Sequence, residues 1–571
     1  MTATTPVEGQ FIRLNSRPDF SMLLPAGIAL LIAYLTLVPI GMMVIDSVQA
    51  ADGSFSLRNY QNIITSGTAY RLMLNSLIFA IGGALMGTVI GTILAWLVER
   101  TNMPGRRFMF IAALVPLIMP GSLATFAWVL ILSPTIGVVN IALQKVFGFS
   151  DGPLNIYSMP GMIMVEGIHL STLSFLMIAG ALRSMDASLE EASGASGARI
   201  LTTARRVTLP LLLPALAATL LIGFVRAVEG FEVPAMLGLP GKQYVLASQI
   251  YLALKTFPIN YGAAGVYSTM LFVIGAAGVL IYLRLIAKNS FATVSGKGFR
   301  PRVIDLGGWR YPALVFAAFY ILTLFVLPAL LMVWASFQPF YAAPSPSAVG
   351  RMSFANYAEV FQNSAIINAA KNSLILALFA ATIVVWLSAV SAWITVRTRI
   401  RGRQLLDVVA FIPIAIPGLV LGVAMVDLYA ASPLPIYGTL IVLVITYVIK
   451  FLPYGMRSST STIVQISQEL EEASAVAGGR WWHTFTRVLL PLLWPGLFAA
   501  WVYIFIVSTR ELSSSIILAG PRNQPLAVLI YQLYTNGDYT LLSALGVLMV
   551  IVLALLVAVF QRMGGRATDA Q

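Results

Sequence analysis

Apolar runs of about 20 residues recur along the whole chain, and each is long enough to cross the roughly 30 Å hydrocarbon core of a bilayer. Only 10% of the 571 residues are charged, whereas soluble domains have about 25%. The runs predict about twelve transmembrane helices, so the fold class is an all-α integral membrane protein. They lie at residues 22–46, 72–98, 107–132, 160–182, 209–227, 263–286, 311–337, 371–396, 405–429, 436–456, 488–508 and 541–561.

The formal net charge of +13 could indicate a protein that binds nucleic acid. If the N-terminus lies in the cytoplasm, however, most basic residues fall in cytoplasmic segments, as the positive-inside rule requires. Examples are the stretches from Arg284 to Arg310 and from Arg397 to Arg403. The charge therefore predicts membrane topology, with both termini in the cytoplasm and no nucleic-acid partner. With no cysteine and two histidines, the chain offers neither a disulfide framework nor a Cys/His metal site.

The sequence contains an internal repeat of six predicted spans. A shift of 297 residues places Asn75-Ser76 on Asn372-Ser373 and Pro120-Gly121 on Pro417-Gly418, and a shift of 281 places Glu190 to Ser193 on Glu471 to Ser474. Because each half has an even number of spans, the repeat is parallel. The predicted halves are residues 1–297, an N-terminal helix with a core at about 71–286, and residues 298–571, with a core at about 371–561. A polar linker is expected from Lys288 to Arg310, around Ser295-Gly296-Lys297-Gly298.

One loop motif occurs twice, between the fourth and fifth spans of each half. The first copy has Glu191-Ala192-Ser193 and then Gly197, followed after nine residues by Val207-Thr208-Leu209-Pro210. The second has Glu472-Ala473-Ser474 and Gly478, followed after nine residues by Val488-Leu489-Leu490-Pro491. Small residues and a turn-forming glycine predict a short helix that stands off the membrane and can lie in a groove on a partner. The alternative is an ordinary interfacial turn with solvated glutamates.

The motif resembles the EAA loop of bacterial ABC-importer permeases, E-A-A-x3-G-x9-I-x-L-P, with Ser as the third residue and Val for Ile in both copies. Leu94 to Thr101, the Pro116-x3-Pro120-Gly121 element, Glu511-Leu512-Ser513 and Asp538-Tyr539 resemble fused ferric-iron permeases. The resemblance spans nearly the whole chain. It implies a type I importer permease in the bacterial cytoplasmic (inner) membrane, in contact with lipid.

The resemblance also implies partners. Two ABC ATPase subunits would dock on the two loops, and an extracytoplasmic substrate-binding protein would deliver the substrate. The sequence contains no G-x-x-x-x-G-K-[ST] motif, so this chain is predicted not to be an enzyme, with no catalytic residues and no cofactor. ATP and Mg²⁺ are then expected on the partner subunits.

Polar residues within or next to the spans are candidates for the translocation pathway, because charge at bilayer depth is costly and is usually functional. Glu166 and His169 share one helical face and map onto Tyr447 and Lys450, so a two-fold axis would bring the pairs towards each other. Hydrogen bonding within the helix bundle is the alternative. Further candidates follow the fifth span of each half: Glu229, Glu232 and Glu511. A structural ion pair between Arg226 and Glu229 is also expected from their spacing.

The sequence says less about the substrate. Ferric iron would favour hard oxygen ligands, which Glu229, Glu232 and Glu511 could supply by residue type, but no metal site can be assigned. Thiamine, a polyamine or an organic phosphonate are alternatives within the same importer class. An ion-coupled secondary transporter is a further alternative, since two parallel six-span halves also describe that architecture. It would need no ATPase and no pair of EAA-like loops.

Overall fold

The computed structural model describes residues 23–49, 54–114, 116, 119–186, 188–288, 303–398, 400, 402–430 and 432–569. Within these ranges the chain forms α-helices joined by short 3-10 and π turns, and it has no β-strand. The predicted all-α class is therefore confirmed. Most of the predicted linker, including Ser295-Gly296-Lys297-Gly298, lies outside the described residues.

The first predicted half contains twelve α-helices in this part of the chain. They are α1 (Leu23–Ser47), α2 (Arg58–Thr65), α3 (Thr68–Arg100), α4 (Arg106–Ala112), α5 (Gly121–Leu132), α6 (Val138–Phe147), α7 (Met159–Ser184), α8 (Ser188–Ala195), α9 (Ile200–Thr203), α10 (Leu209–Glu229), α11 (Leu246–Lys255) and α12 (Tyr261–Lys288). A π turn at Ala204–Thr208 joins α9 to α10.

The second predicted half contains fourteen α-helices in the described part of the chain, and none of them corresponds to α6. They are α13 (Arg310–Ile321), α14 (Leu327–Ser336), α15 (Pro346–Val349), α16 (Ala355–Gln362), α17 (Ser364–Arg397), α18 (Arg403–Phe411), α19 (Gly418–Ala430), α20 (Leu440–Gln465), α21 (Glu469–Val476), α22 (Trp481–Thr484), α23 (Leu490–Thr509), α24 (Ser515–Leu518), α25 (Leu526–Asn536) and α26 (Tyr539–Asp569). A π turn at Phe485–Leu489 joins α22 to α23.

Ten helices of the described chain are long and apolar enough to cross a bilayer, and they match ten of the twelve predicted spans. The other two predicted spans are 107–132 and 405–429. Contrary to the prediction, neither is a single straight helix. The first is divided into α4 and α5, and the second bends by 107° between Arg403–Ala415 and Gly418–Ala430. Each break ends at a Pro-Gly pair, where proline lacks a backbone donor and its ring clashes with the preceding turn.

Equivalent hydrogen bonds in the two halves confirm the internal repeat. The hydroxyls of Tyr60 and Ser47 lie 2.9 Å apart, and those of Tyr357 and Ser336 lie 2.8 Å apart. In each half, the pair connects the short helix before the second span of that half to the end of its first span. The same sequence landmarks therefore fold into the same contacts twice.

The two broken spans lie where the halves meet. Helix α5 packs against α14 and α25 of the second half, while α19 packs against α1, α11 and α12 of the first half. Leu123 and Phe126 on α5 and Leu419 and Val420 on α19 are almost fully buried. This reciprocal packing puts both Pro-Gly breaks in the interior of the bundle, next to the segments that follow α10 and α23.

Candidate functional site

The two predicted docking loops form short helices of equal length, α8 and α21. Each helix is followed, at the second residue after its end, by a glycine with positive φ, Gly197 at +79° and Gly478 at +81°. The turn is closed in the same way in both copies: Ala198 N–H donates to Ser193 O at 3.2 Å, and Gly479 N–H donates to Ser474 O at 2.8 Å. A side chain at either glycine would be strained, because L-residues rarely adopt this conformation.

The motif residues divide between an outer and an inner face of each loop helix. Glu191, Ala192, Glu472 and Ala473 are exposed. The serines instead point inward, since Ser193 hydrogen-bonds Thr203 and Ser474 hydrogen-bonds Thr484, both at 2.8 Å. The serine that departs from the E-A-A pattern therefore supports the loop from within, and the Glu-Ala pair is presented to the outside.

The glutamate before each motif has a structural role that the sequence analysis did not assign. Glu190 Oε2 lies 3.4 Å from Arg100 Nε, and Glu471 Oε1 lies 2.9 Å from Arg397 Nε. Both arginines are the last residues of a long helix, α3 or α17. Burial raises the pKa of Glu471, and the facing Arg397 guanidinium partly offsets this. The sequence did contain a signal for these two ion pairs, because the 297-residue shift places Arg100 on Arg397.

A charged cluster joins the two halves inside the bundle. Lys450 Nζ lies 2.9 Å from both carboxylate oxygens of Glu511 and 3.7 Å from Glu229 Oε1. Glu229 Oε2 lies 3.6 Å from Arg226 Nη1, which is the ion pair expected from their spacing. Lys450 therefore bridges a carboxylate of its own half and one of the other half, with little of its side chain exposed.

The Pro-Gly breaks leave room for this cluster. A Cβ on Gly418 would overlap the Lys450 ammonium and would lie 3.0 Å from Ser513 Cβ. In the first half, a Cβ on Gly121 would lie 3.7 Å from the Glu232 carboxylate. Each break thus brings a glycine against the acidic segment that follows the fifth span, and a side chain at 418 would force the Lys450 ammonium to shift.

The remaining pathway candidates lie around this cluster to different degrees. Glu166 is buried, close enough to Gly230 that a Cβ there would lie 3.6 Å from Glu166 Oε1. The Tyr447 hydroxyl donates to Glu511 O at 3.3 Å and hydrogen-bonds Ser515 Oγ at 2.6 Å. His169 is half-buried, and its Nε2 has no hydrogen-bond partner among the described residues.

The face of α7 with Glu166 and His169 was expected to approach Tyr447 and Lys450. In the described part of the chain no hydrogen bond or ion pair joins the two pairs. Lys450 contacts Glu229 and Glu511 rather than Glu166 or His169 in the described part of the chain. The described residues also include no group of three or more His, Asp or Glu side chains placed to hold a metal ion. The cluster is thus a network of opposite charges.

Aromatic side chains close the contact between the halves beside the charged cluster. The Tyr534 hydroxyl donates to Met236 O at 2.6 Å. The Tyr531 ring lies edge-on to Tyr251, with centroids 6.0 Å apart, and also contacts Phe231. Phe231 directly precedes Glu232, so the acidic segment of the first half is held against α25 of the second half.

Comparisons with known proteins agree with this architecture. A family model described as binding-protein-dependent transport system inner membrane component matches residues 87–291 and again residues 373–568. The chain is 28% identical over 515 residues to the ferric transport system permease protein FbpB of Actinobacillus pleuropneumoniae, covering 89% of this chain and 73% of that protein. It is 30% identical over 472 residues to a Haemophilus influenzae protein whose name refers to a ferric transport system permease, FbpB 1, covering 81% and 73%.

Among solved structures, a chain of a bacterial ABC transporter that imports alginate aligns with 47% of this chain and 93% of its own length, at 21% identity and a TM-score of 0.39. The family assignment depends on the two domain matches, which together span well over half of the sequence. The chain belongs to the binding-protein-dependent transport system inner membrane components, the permeases of ABC importers, and carries the family's domain twice in one polypeptide.

Proposed function

We propose that this chain forms the translocation pathway of an ATP-driven importer for ferric iron delivered by an extracytoplasmic binding protein. The observation that carries the proposal is the pair of equivalent loop helices, each with an exposed Glu-Ala pair. Two loops of one geometry fit two copies of an ATPase subunit, one at Glu191 and one at Glu472. Those subunits would bind ATP and Mg²⁺, since the sequence of this chain contains no P-loop.

The charged cluster fits a pathway that opens when the halves move. Closure of the ATPase subunits on ATP would displace both loop helices and change the relation between the two halves. Lys450 and Glu229 belong to different halves, so such a movement separates the two residues and removes their contact. Glu511 stays with Lys450 as its counter-ion in the second half, which keeps the exposed ammonium neutralised during opening.

Iron is the proposed substrate because two relatives, each matched over 73% of its length, are named for ferric transport. Carboxylates suit a hard cation such as Fe³⁺, and Glu229, Glu232 and Glu511 lie along the proposed path. The chain would lie in the cytoplasmic membrane with the loop helices and both termini in the cytoplasm. This orientation follows from the distribution of basic residues.

The test is uptake of radioactive Fe³⁺ into proteoliposomes that contain this chain with its co-purifying ATPase. Uptake should require ATP on the side of the loop helices and an iron-loaded binding protein on the other side. Iron-free binding protein and a non-hydrolysable ATP analogue serve as controls. Parallel reactions with thiamine, a polyamine and 2-aminoethylphosphonate, each with its own binding protein, compare the alternative substrates.

Two results would contradict the proposal. ATP-dependent uptake of one of the other substrates, without uptake of iron, would contradict iron as the substrate but would still agree with an ATP-driven importer. Uptake driven by an ion gradient in liposomes that contain this chain alone would remove the ATP-driven mechanism.

A further inference from the structure

Each half contains one long helix that carries polar anchors at both ends. In α3 these are Ser76 and Arg100, and in α17 they are Ser373 and Arg397. The anchors are 24 residues apart in both helices, or about 36 Å along the helix axis at 1.5 Å per residue. Neither helix contains proline, so each can act as a continuous rod.

At one end, each rod is fastened to the loop helix of its own half. Besides the ion pairs with Glu190 and Glu471, Arg100 Nη2 donates to Met185 O at 3.3 Å and Arg397 Nη2 donates to Ile466 O at 2.5 Å. Met185 and Ile466 directly follow α7 and α20. Each arginine therefore holds both the start of the loop and the buried glutamate of the loop helix.

At the other end, each rod is fastened to the segment that follows the charged cluster. Leu246 N–H donates to Ser76 Oγ at 2.9 Å, and Leu526 N–H donates to Ser373 Oγ at 2.7 Å. The preceding asparagines add a second bond, from Asn75 to Tyr244 O at 2.9 Å and from Asn372 to Gln524 O at 3.0 Å. These segments begin at Glu232 and Glu511, so each rod connects a loop helix to one side of the cluster.

We propose that α3 and α17 are levers that carry the displacement of the loop helices to the charged cluster, with Arg100 and Arg397 as positioning residues. The inference rests on the proposed function, because it assumes that ATPase subunits move the loops. A lever needs a stiff element held at both ends, and in both halves an ion pair at one end and hydrogen bonds at the other supply those attachments. The competing route is the chain itself, which runs from α8 through α9 and α10 to Glu229.

The second half offers a matched set of variants for the test. Arg397→Met removes the loop-end anchor, and Arg397→Glu with Glu471→Arg exchanges the charges. Ser373→Ala removes the far anchor. Ser391→Ala is the control, because Ser391 lies buried on the same helix and its hydroxyl has no hydrogen-bond partner in the described part of the chain. The readout is substrate transported per ATP hydrolysed by the complete complex.

We expect Arg397→Met to lower this ratio at least about fivefold, the lower end of usual coupling between distant sites. The charge exchange should restore only part of it, because glutamate at 397 re-forms the ion pair but cannot donate to Ile466 O. Ser373→Ala should lower the ratio and Ser391→Ala should leave it unchanged. Adding Ser373→Ala to Arg397→Met should have little further effect, because both changes disable the same lever.

The lever is refuted if transport and ATP hydrolysis fall together at a constant ratio, or if Ser373→Ala and Ser391→Ala behave alike. The second comparison stands even where Arg397→Met prevents assembly. Failure of the wild-type complex to transport any substrate with ATP would instead contradict the proposed function. The two failures are therefore distinguishable.

Discussion

The ion pair between Lys450 and Glu229 gives the most direct prediction about how the halves are held together. The change is Glu229→Gln, which removes the carboxylate charge across the interface but leaves Lys450 paired with Glu511 at 2.9 Å. Glutamine has nearly the same shape, so packing against α20 is preserved. The variant therefore removes the charge of one contact between the halves, together with the Arg226 ion pair within the first half; only the former depends on whether the halves are separated.

The size of the effect follows from the geometry. Two unit charges 3.7 Å apart attract by about 4 kcal/mol at an effective dielectric constant of about 20. Desolvation of both groups offsets much of this attraction, which leaves a net contribution on the order of 1–2 kcal/mol. A change of that size alters an equilibrium roughly 5- to 30-fold. In the variant, the conformation in which the two halves are separated should therefore be more populated by that factor.

The assay is ATP hydrolysis by the complete complex in proteoliposomes without the binding protein. If separation of the halves limits hydrolysis, Glu229→Gln should raise this basal rate by roughly 5-fold or more. The control is Glu359→Gln, an exposed acid on α16 at the opposite end of α17 from the loop helices. An assembled Glu229→Gln complex with a basal rate equal to that of the control would refute the role of this pair in closure.

Two further predictions concern the same cluster. Lys450→Met leaves the Glu229 and Glu511 carboxylates without their shared cation, and it should destabilise the protein by about 3 kcal/mol or more; thermal unfolding in detergent should show a clear decrease in Tm, against no decrease for the exposed Lys371→Met. Gly418→Ala places a methyl group against the Lys450 ammonium and should reduce transport while the chain still inserts, whereas Gly308→Ala, which meets no atom within 4 Å, should transport normally. Equal behaviour of either variant and its control would contradict the packing described for Lys450.

The repeat and the loop helices were predictable because they depend on local sequence. Hydrophobic run length identifies spans, and small residues followed by glycine identify the loops. The same run length failed at 107–132 and 405–429, because hydropathy does not register a change of helix direction. Pro120-Gly121 and Pro417-Gly418 carried that information. A Pro-Gly pair inside an apolar run predicts a helix break.

Contacts between residues that are far apart in the sequence were harder to predict. Glu190 and Glu191 are adjacent in sequence, but Glu190 is buried against Arg100 and Thr208 whereas Glu191 is exposed. Lys450 was a candidate for the pathway from its position in a span, but its contact with Glu229 depends on how the two halves pack. No spacing rule relates residues 221 positions apart.

The central claim is that the two loop helices dock ATPase subunits, and co-purification tests it most directly. The wild-type chain, carrying an affinity tag, should retain two ATPase subunits per copy from solubilised membranes. The double variant Glu191→Lys, Glu472→Lys reverses the charge on both exposed faces and should lose them, while Glu359→Lys should retain them. Retention of both ATPase subunits by a correctly folded double variant would contradict the account.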